Sequence, residues 1–193
     1  MKLKTLLLAP VLAALAALPT LALADRYLID TKDAHASIHF RIQHLGYSWL
    51  TGRFNDFAGS FVYDEKDPSG SSAAVEIDPS SIDTNHAERD KHLRGKEFLD
   101  VDEFPKASFV STAFQDNGDG TARLEGNLTL HGVTRPITIA VTPVGHGPDP
   151  WGGYRRGFEG RTRLGLADFG IDYDLGPKSK EVEIILSVEG IRQ

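Results

Sequence analysis

The chain contains no cysteine. That excludes disulfide staples, thiol nucleophiles, thiolate metal ligands and a lipid anchor on an N-terminal cysteine. Positive charge is also scarce, with 21 Lys and Arg against 27 Asp and Glu and a formal net charge of −6. A net negative surface repels phosphate backbones and anionic headgroups, so nucleic acid is not an expected partner. The common catalytic templates are missing as well: there is no phosphate loop, no dinucleotide-binding Gly-x-Gly-x-x-Gly and no His-Glu-x-x-His. Ser48 stands in Gly46-Tyr47-Ser48-Trp49-Leu50, which lacks the glycine two residues beyond it that a nucleophile elbow needs, and reads as a turn serine.

What is present begins with a leader. Lys2 and Lys4 precede an apolar run from Leu6 to Leu18, Pro19 breaks it, and Ala22-Leu23-Ala24 supplies small residues before the charged Asp25. The pattern is that of a secretory signal peptide cleaved after Ala24, since the run is shorter than the ~20 apolar residues a membrane span requires. Removing residues 1–24 takes away two lysines and no acid, so 21 basic and 27 acidic side chains become 19 and 27, a formal charge of −8. Residues 25–193 suit one domain able to close its own core.

After Asp25 the hydrophobic period is two, the mark of half-buried strands. Ile38, Phe40 and Ile42 alternate with polar neighbours, as do Phe57, Gly59, Phe61 and Tyr63. The rhythm recurs at Val75 and Ile77, at Phe109 and Ser111, at Leu124, Leu128 and Leu130, at Ile137, Ile139 and Val141, at Phe158, Thr162 and Leu164, and at Val182, Ile184, Leu186 and Val188. Asp116-Asn117-Gly118-Asp119-Gly120 and His131-Gly132-Val133-Thr134-Arg135-Pro136 carry hairpin chemistry. Eight antiparallel strands with one apolar face predict an all-β fold. Closing it into a barrel removes aggregation-prone edges, and a two-sheet sandwich is the structural alternative.

One segment, Ser81 to Pro105, breaks the rhythm. Asn85 with Glu88 three residues on resembles an N-cap and its reciprocal partner, and Gly95 a stop, which predicts a helix over 86–94. Phe98, Leu99, Val101 and Phe104 follow, so this crossover is expected to cap one barrel end. His86 and Asp90 fall on one helix face with His92 near, but without a third well-spaced ligand no metal is assigned. The interleaved acids and bases of 78–103 read as a solvated face with local ion pairs. His39, on a polar strand face, and His131, in a turn, read as solvated.

An eight-stranded barrel is either packed solid or holds one small ligand. Gly59, Gly126 and Gly160 fall on the apolar face, where glycine either bends a strand or leaves room beside a bound chain. The expected inward faces carry no charge. The expected ligand-lining set is Ile38, Phe40, Ile42, Phe57, Phe61, Gly126, Leu128, Leu130, Ile137, Ile139, Phe158, Gly160, Ile184 and Leu186, with the space widest at Gly126 and Gly160. A hydrocarbon suits such a lining, because each enclosed CH₂ contributes about 0.8 kcal/mol and needs no ionic anchor.

The stretches Phe40 to Leu50, Val75-Glu76-Ile77 and Ser81 to Arg94 resemble the YceI-like polyisoprenoid-binding family of periplasmic proteins. So do Phe104 to Phe109, Gly126 to Pro136, Asp168-Phe169-Gly170, Asp149 to Gly153 and Ser187 to Gly190. The resemblance implies a lipocalin-like antiparallel barrel, a periplasmic location and a long polyprenyl chain, that of an isoprenoid quinone or its precursor, lying in the barrel. It supplies no catalytic residues to carry over, and no catalytic cofactor is expected. Relatives often carry an arginine just upstream of Asp-Phe-Gly, where this chain has Leu164, Leu166 and Ala167. The expectation is therefore a lipid carrier in transient contact with a membrane or membrane protein, with pairing of two barrels left open. An enzyme acting on a lipid or its headgroup and a ligand-free structural or stress protein are the alternatives.

Overall fold

Residues 24–33 and 35–193 are described by a computed structural model. The expected leader lies outside the described residues except for Ala24. Eleven strands form one sheet: β1 (Asp25–Ile29), β2 (Ser37–His44), β3 (Ser48–Phe54), β4 (Phe57–Tyr63), β5 (Ser72–Ile77), β6 (Ile82–Asp83), β7 (Ala107–Asp116), β8 (Ala122–Leu130), β9 (Val133–Pro148), β10 (Tyr154–Gly165) and β11 (Glu181–Arg192). The order β1-β4-β5-β7-β8-β9-β10-β11 closes on itself because β11 also pairs with β1. Every pairing is antiparallel, so the fold is the closed eight-stranded barrel, not the sandwich.

Eleven strands make eight staves because three staves are bent. The C-terminal half of β11 pairs with β1, through Ile29↔Gly190, and its N-terminal half with β2, through Leu186↔Ile38. Strands β1 and β2 are therefore one stave, interrupted by an excursion after Asp30. β4 continues β3, and β6 continues β5 in the same way. Bulges at Ser111/Ala113 and Gly157/Phe158 add the local twist that closure demands.

The excursion is pinned by charge. Asp30 is buried, accepts hydrogen bonds from Arg155 Nη1 (2.7 Å) and the Asp33 N–H (3.2 Å), and pairs with His35 Nδ1 at 2.9 Å. Burial works against the carboxylate, but these bonds outweigh it and hold its pKa down at about 2. The same bond raises His35 above its ordinary value.

One helix, α1 (Ala87–Arg94), crosses the end of the barrel where β2 turns into β3. Its N-cap is His86, whose Nδ1 accepts from the Arg89 N–H, and not Asn85, which takes a left-handed φ of 60° in the turn before. The helix is held by polar contacts more than by an apolar stripe. Asp90, buried, accepts from the Thr84 N–H and hydroxyl; Arg89 donates to the Thr84 hydroxyl and carbonyl, both at 2.7 Å; Arg94 reaches the Ser80 and Ile82 carbonyls. The guanidinium groups satisfy backbone carbonyls in and on either side of the short strand β6. Within the charged segment Arg89, Asp90 and Arg94 are thus specific ties, while Glu88, Lys91, Lys96, Glu97, Asp102 and Glu103 are exposed. The apolar part of the crossover comes after the helix, where Phe98 and Leu99 are buried against Phe40, Ile82 and Ile171.

Candidate functional site

Three cavities run in series along the barrel. The outermost, about 700 Å³, lies beneath the crossover between α1, the β2–β3 hairpin and the 166–179 segment. It adjoins a middle cavity of about 120 Å³ at Phe54, Leu130, Leu164 and Ile184, which line both. The middle one adjoins an inner cavity of about 110 Å³ at Ile29, Val75, Phe109, Ile139, Leu186 and Val188. The two inner spaces are lined almost wholly by the apolar members of the alternating strands, as period two in a closed sheet requires.

The structure places thirteen of the fourteen expected residues along this series. Phe40, Ile42, Leu130 and Ile184 line the outer cavity. Ile38, Phe57, Leu128 and Ile137 line the middle one, and Phe61, Phe158 and Gly160 the inner one, with Ile139 and Leu186 on both. Gly126 is the exception. The ring of Phe109, from the neighbouring strand, fills the space above it. Gly160 is hemmed in by Ile139 and Leu186, 3.0 and 3.1 Å from where a Cβ would stand. Neither glycine marks the widest point, which is under the crossover.

The inward faces are not free of charge, contrary to expectation. Arg156 lies on the inward face of β10, in phase with Phe158 and Gly160, and is 6% exposed. It pairs with Glu65, and its guanidinium lies 4.4 Å from the Tyr63 ring centroid. In front of it Tyr63, Phe158, Phe61 and Phe114 pack edge-on or tilted at centroid distances of 5.5 to 6.0 Å, and Tyr27 stacks on Phe61 at 4.8 Å. The inner end is therefore closed by an aromatic floor backed by an ion pair. Burial of the Tyr63 hydroxyl raises its pKa.

The mouth carries the polar groups. Gln43, His44, Arg89, His92, Asp174 and Ser179 line the outer cavity beside Leu45, Leu93, Tyr173 and Leu175. His92 Nε2 lies 2.7 Å from Glu97, and its ring packs against Phe98 and Tyr173 at 5.0 and 5.6 Å. The sequence reading missed the 166–179 wall. The signal it offered was the run Ile171, Tyr173, Leu175, whose period of two belongs to a segment with no strand. His131 is not simply solvated: its Nδ1 donates to the Phe169 carbonyl at 3.1 Å, and its ring packs on Phe104.

The groups weighed for a metal are otherwise occupied, His86 as helix cap, Asp90 by Thr84 and His92 by Glu97. Among the described residues, Asp30, His35 and Glu189 bring ligand atoms within 4.8 Å of one another. Arg155 donates to both carboxylates there and takes the place of a cation.

A closed antiparallel barrel with a lidded apolar interior defines the class of small-molecule binding barrels. The YceI-like domain matches residues 27–190, and the chain belongs to that family. A UPF0312 protein of Pseudomonas aeruginosa is 61% identical over 172 residues, 89% of this chain and 90% of that one. One from Yersinia enterocolitica is 58% identical over 171 residues, 89% and 88% of the two chains. Among solved structures, BcnA of Burkholderia cenocepacia superposes with a TM-score of 0.75 at 22% identity, over 83% of this chain and 98% of its own. A polyisoprenoid-binding domain from Saccharophagus degradans does so with a TM-score of 0.64 at 17% identity, over 89% and 99%. At those identities the likeness concerns the fold.

Proposed function

We propose that this protein carries one long polyisoprenoid lipid, of the isoprenoid quinone or precursor type, through the bacterial periplasm, with the tail threaded from the mouth into the barrel. The observation that carries this reading is the serial cavity, open in volume at the lidded end and apolar down to the Arg156 floor. Such a shape suits a narrow chain better than a compact ring. About ten enclosed carbons contribute on the order of 8 kcal/mol, against association costs of several kcal/mol, so a longer chain binds with a surplus and without an ionic anchor. The polar groups at the mouth meet whatever headgroup remains there. The leader expected in residues 1–24 supports export, and the YceI-like relatives share the barrel. Transfer then requires contact with a donor and an acceptor membrane or membrane protein.

The test is extraction of protein purified from its native periplasm with organic solvent, followed by mass spectrometry of the extract. One isoprenoid lipid per chain is expected. A turnover product in its place would support an enzyme, and an empty extract a ligand-free protein.

A further inference from the structure

The β2–β3 hairpin that edges the cavity mouth is built against its own turn preference. Tyr47 N–H donates to the His44 carbonyl at 2.9 Å, and the two central residues between them, Leu45 and Gly46, have φ of 52° and 83°. Both central residues of a type I′ turn need positive φ, and Asn-Gly is the low-cost pair. A leucine there is strained. The other such turn at this end, His131-Gly132, has a structural use for its side chain, since His131 bonds the Phe169 carbonyl and packs on Phe104.

Leu45 has no comparable anchor. It faces Gly176 across the mouth, its Cδ2 3.5 Å from where a Cβ there would stand, and is 54% exposed. Beside it Tyr47 is 88% exposed, Trp49 on the outer face of β3 is 47% exposed, and Tyr173 on the facing segment is 44% exposed. Four large apolar side chains therefore ring the opening in water, which marks an interaction surface. Tyr and Trp have an apolar body and a polar tip, the composition that sits at the headgroup level of a bilayer. Arg41 lies 4.5 Å over the Trp49 ring and pairs with Glu183, and the Lys178 Cγ lies 3.2 Å from where a Cβ on Gly46 would stand.

From these observations we infer that the hairpin tip Leu45, Tyr47 and Trp49, with Tyr173, is the surface that docks the open end of the barrel onto the interface of a lipid bilayer. This rests on the carrier reading, because a water-insoluble chain leaving the outer cavity must pass this rim. Docking places the mouth at the headgroup level, so the chain crosses no water. These exposed side chains make the docking apolar in origin, independent of anionic lipid and insensitive to salt.

The only two tryptophans, Trp49 and Trp151, lie at opposite ends of the barrel, Trp151 in the β9–β10 hairpin. The experiment is flotation of the full protein with phosphatidylcholine vesicles at low and high salt, combined with tryptophan quenching by brominated acyl chains in Trp49→Phe and Trp151→Phe. Flotation unaffected by salt is expected, with quenching of Trp49 and none of Trp151. Leu45→Asn should unfold at the same or higher denaturant concentration, because it suits the turn, yet float at least fivefold less. Tyr47→Ser should also float at least fivefold less while keeping the lipid load of the original protein by native mass spectrometry. No flotation, quenching at Trp151, or Leu45→Asn floating undiminished overturns the docking surface. So does a dimer in solution that Leu45→Asn dissolves, which would assign the patch to a second copy. A protein that floats as described but carries no lipid leaves the docking surface standing and overturns the carrier reading instead.

Discussion

The ring of Phe109 lies across Gly126, its partner strand's inward glycine, where a side chain would otherwise point into the barrel. A Cβ at residue 126 would stand 2.4 Å from that ring and 2.6 Å from the Val110 carbonyl oxygen. Gly126→Ala should therefore destabilise the protein by roughly 1 to 3 kcal/mol through overpacking, and Phe109→Ala by about 3 to 5 kcal/mol through the space it leaves. Because the first loss depends on the ring that the second removes, the double variant should lose less than the two combined. Urea unfolding of the four proteins measures this, and strict additivity would separate the two residues.

The ion pair between Arg155 and Asp30 makes an asymmetric prediction. Arg155→Ala leaves the Asp30 carboxylate buried with only His35 and the Asp33 N–H, whereas Asp30→Ala leaves Arg155 with Glu189 and Asp149. Removing the partner of a buried charge costs about 3 to 5 kcal/mol. Arg155→Ala should approach that range and Asp30→Ala should cost clearly less. Equal midpoints in denaturant would mean that the excursion after β1 is not held by this pair.

The same cluster sets a pH dependence. The bond to Asp30 raises the His35 pKa in the folded chain, so the stabilisation is fully present below the unfolded value of about 6.5 and is lost as pH rises through the higher folded value. Asp30, with a pKa of about 2, stays ionised throughout, and Arg155 stays charged. The gap in melting temperature between the original protein and His35→Ala should be larger at pH 5.5 than at pH 8.5. A gap that is constant, or that grows toward alkaline pH, contradicts the pairing.

The staves were legible because each buries one face, so alternation at residues such as Phe158, Gly160 and Leu164 reports directly which side faces in. Their bends were not, since the break after Asp30 depends on Arg155, 125 residues away. The helix end was missed by one residue because Asn85 closes a left-handed turn and passes the cap to His86. An inward glycine can be read from the sequence, but what fills the space above it cannot. Phe109 at Gly126, and Phe40 at Gly52, belong to neighbouring strands whose register is settled only on folding. The mouth was least legible, because Tyr173 and Leu175 lie in an irregular segment and the polar lining comes from three separate stretches of chain.

The most direct measurement addresses the neck between the outer and middle cavities, where Leu130 lines both. Leu130→Trp adds volume at that neck, and overpacking of this kind costs roughly 1 to 3 kcal/mol, which a closed barrel of this size should survive. Native mass spectrometry of the folded protein and the variant, purified side by side from the same periplasm, gives the lipid carried per chain. The account predicts one polyisoprenoid per chain in the original protein and at least a tenfold loss in Leu130→Trp. A full equivalent of the same lipid in the variant would contradict it, because the chain would then lie elsewhere than along the barrel.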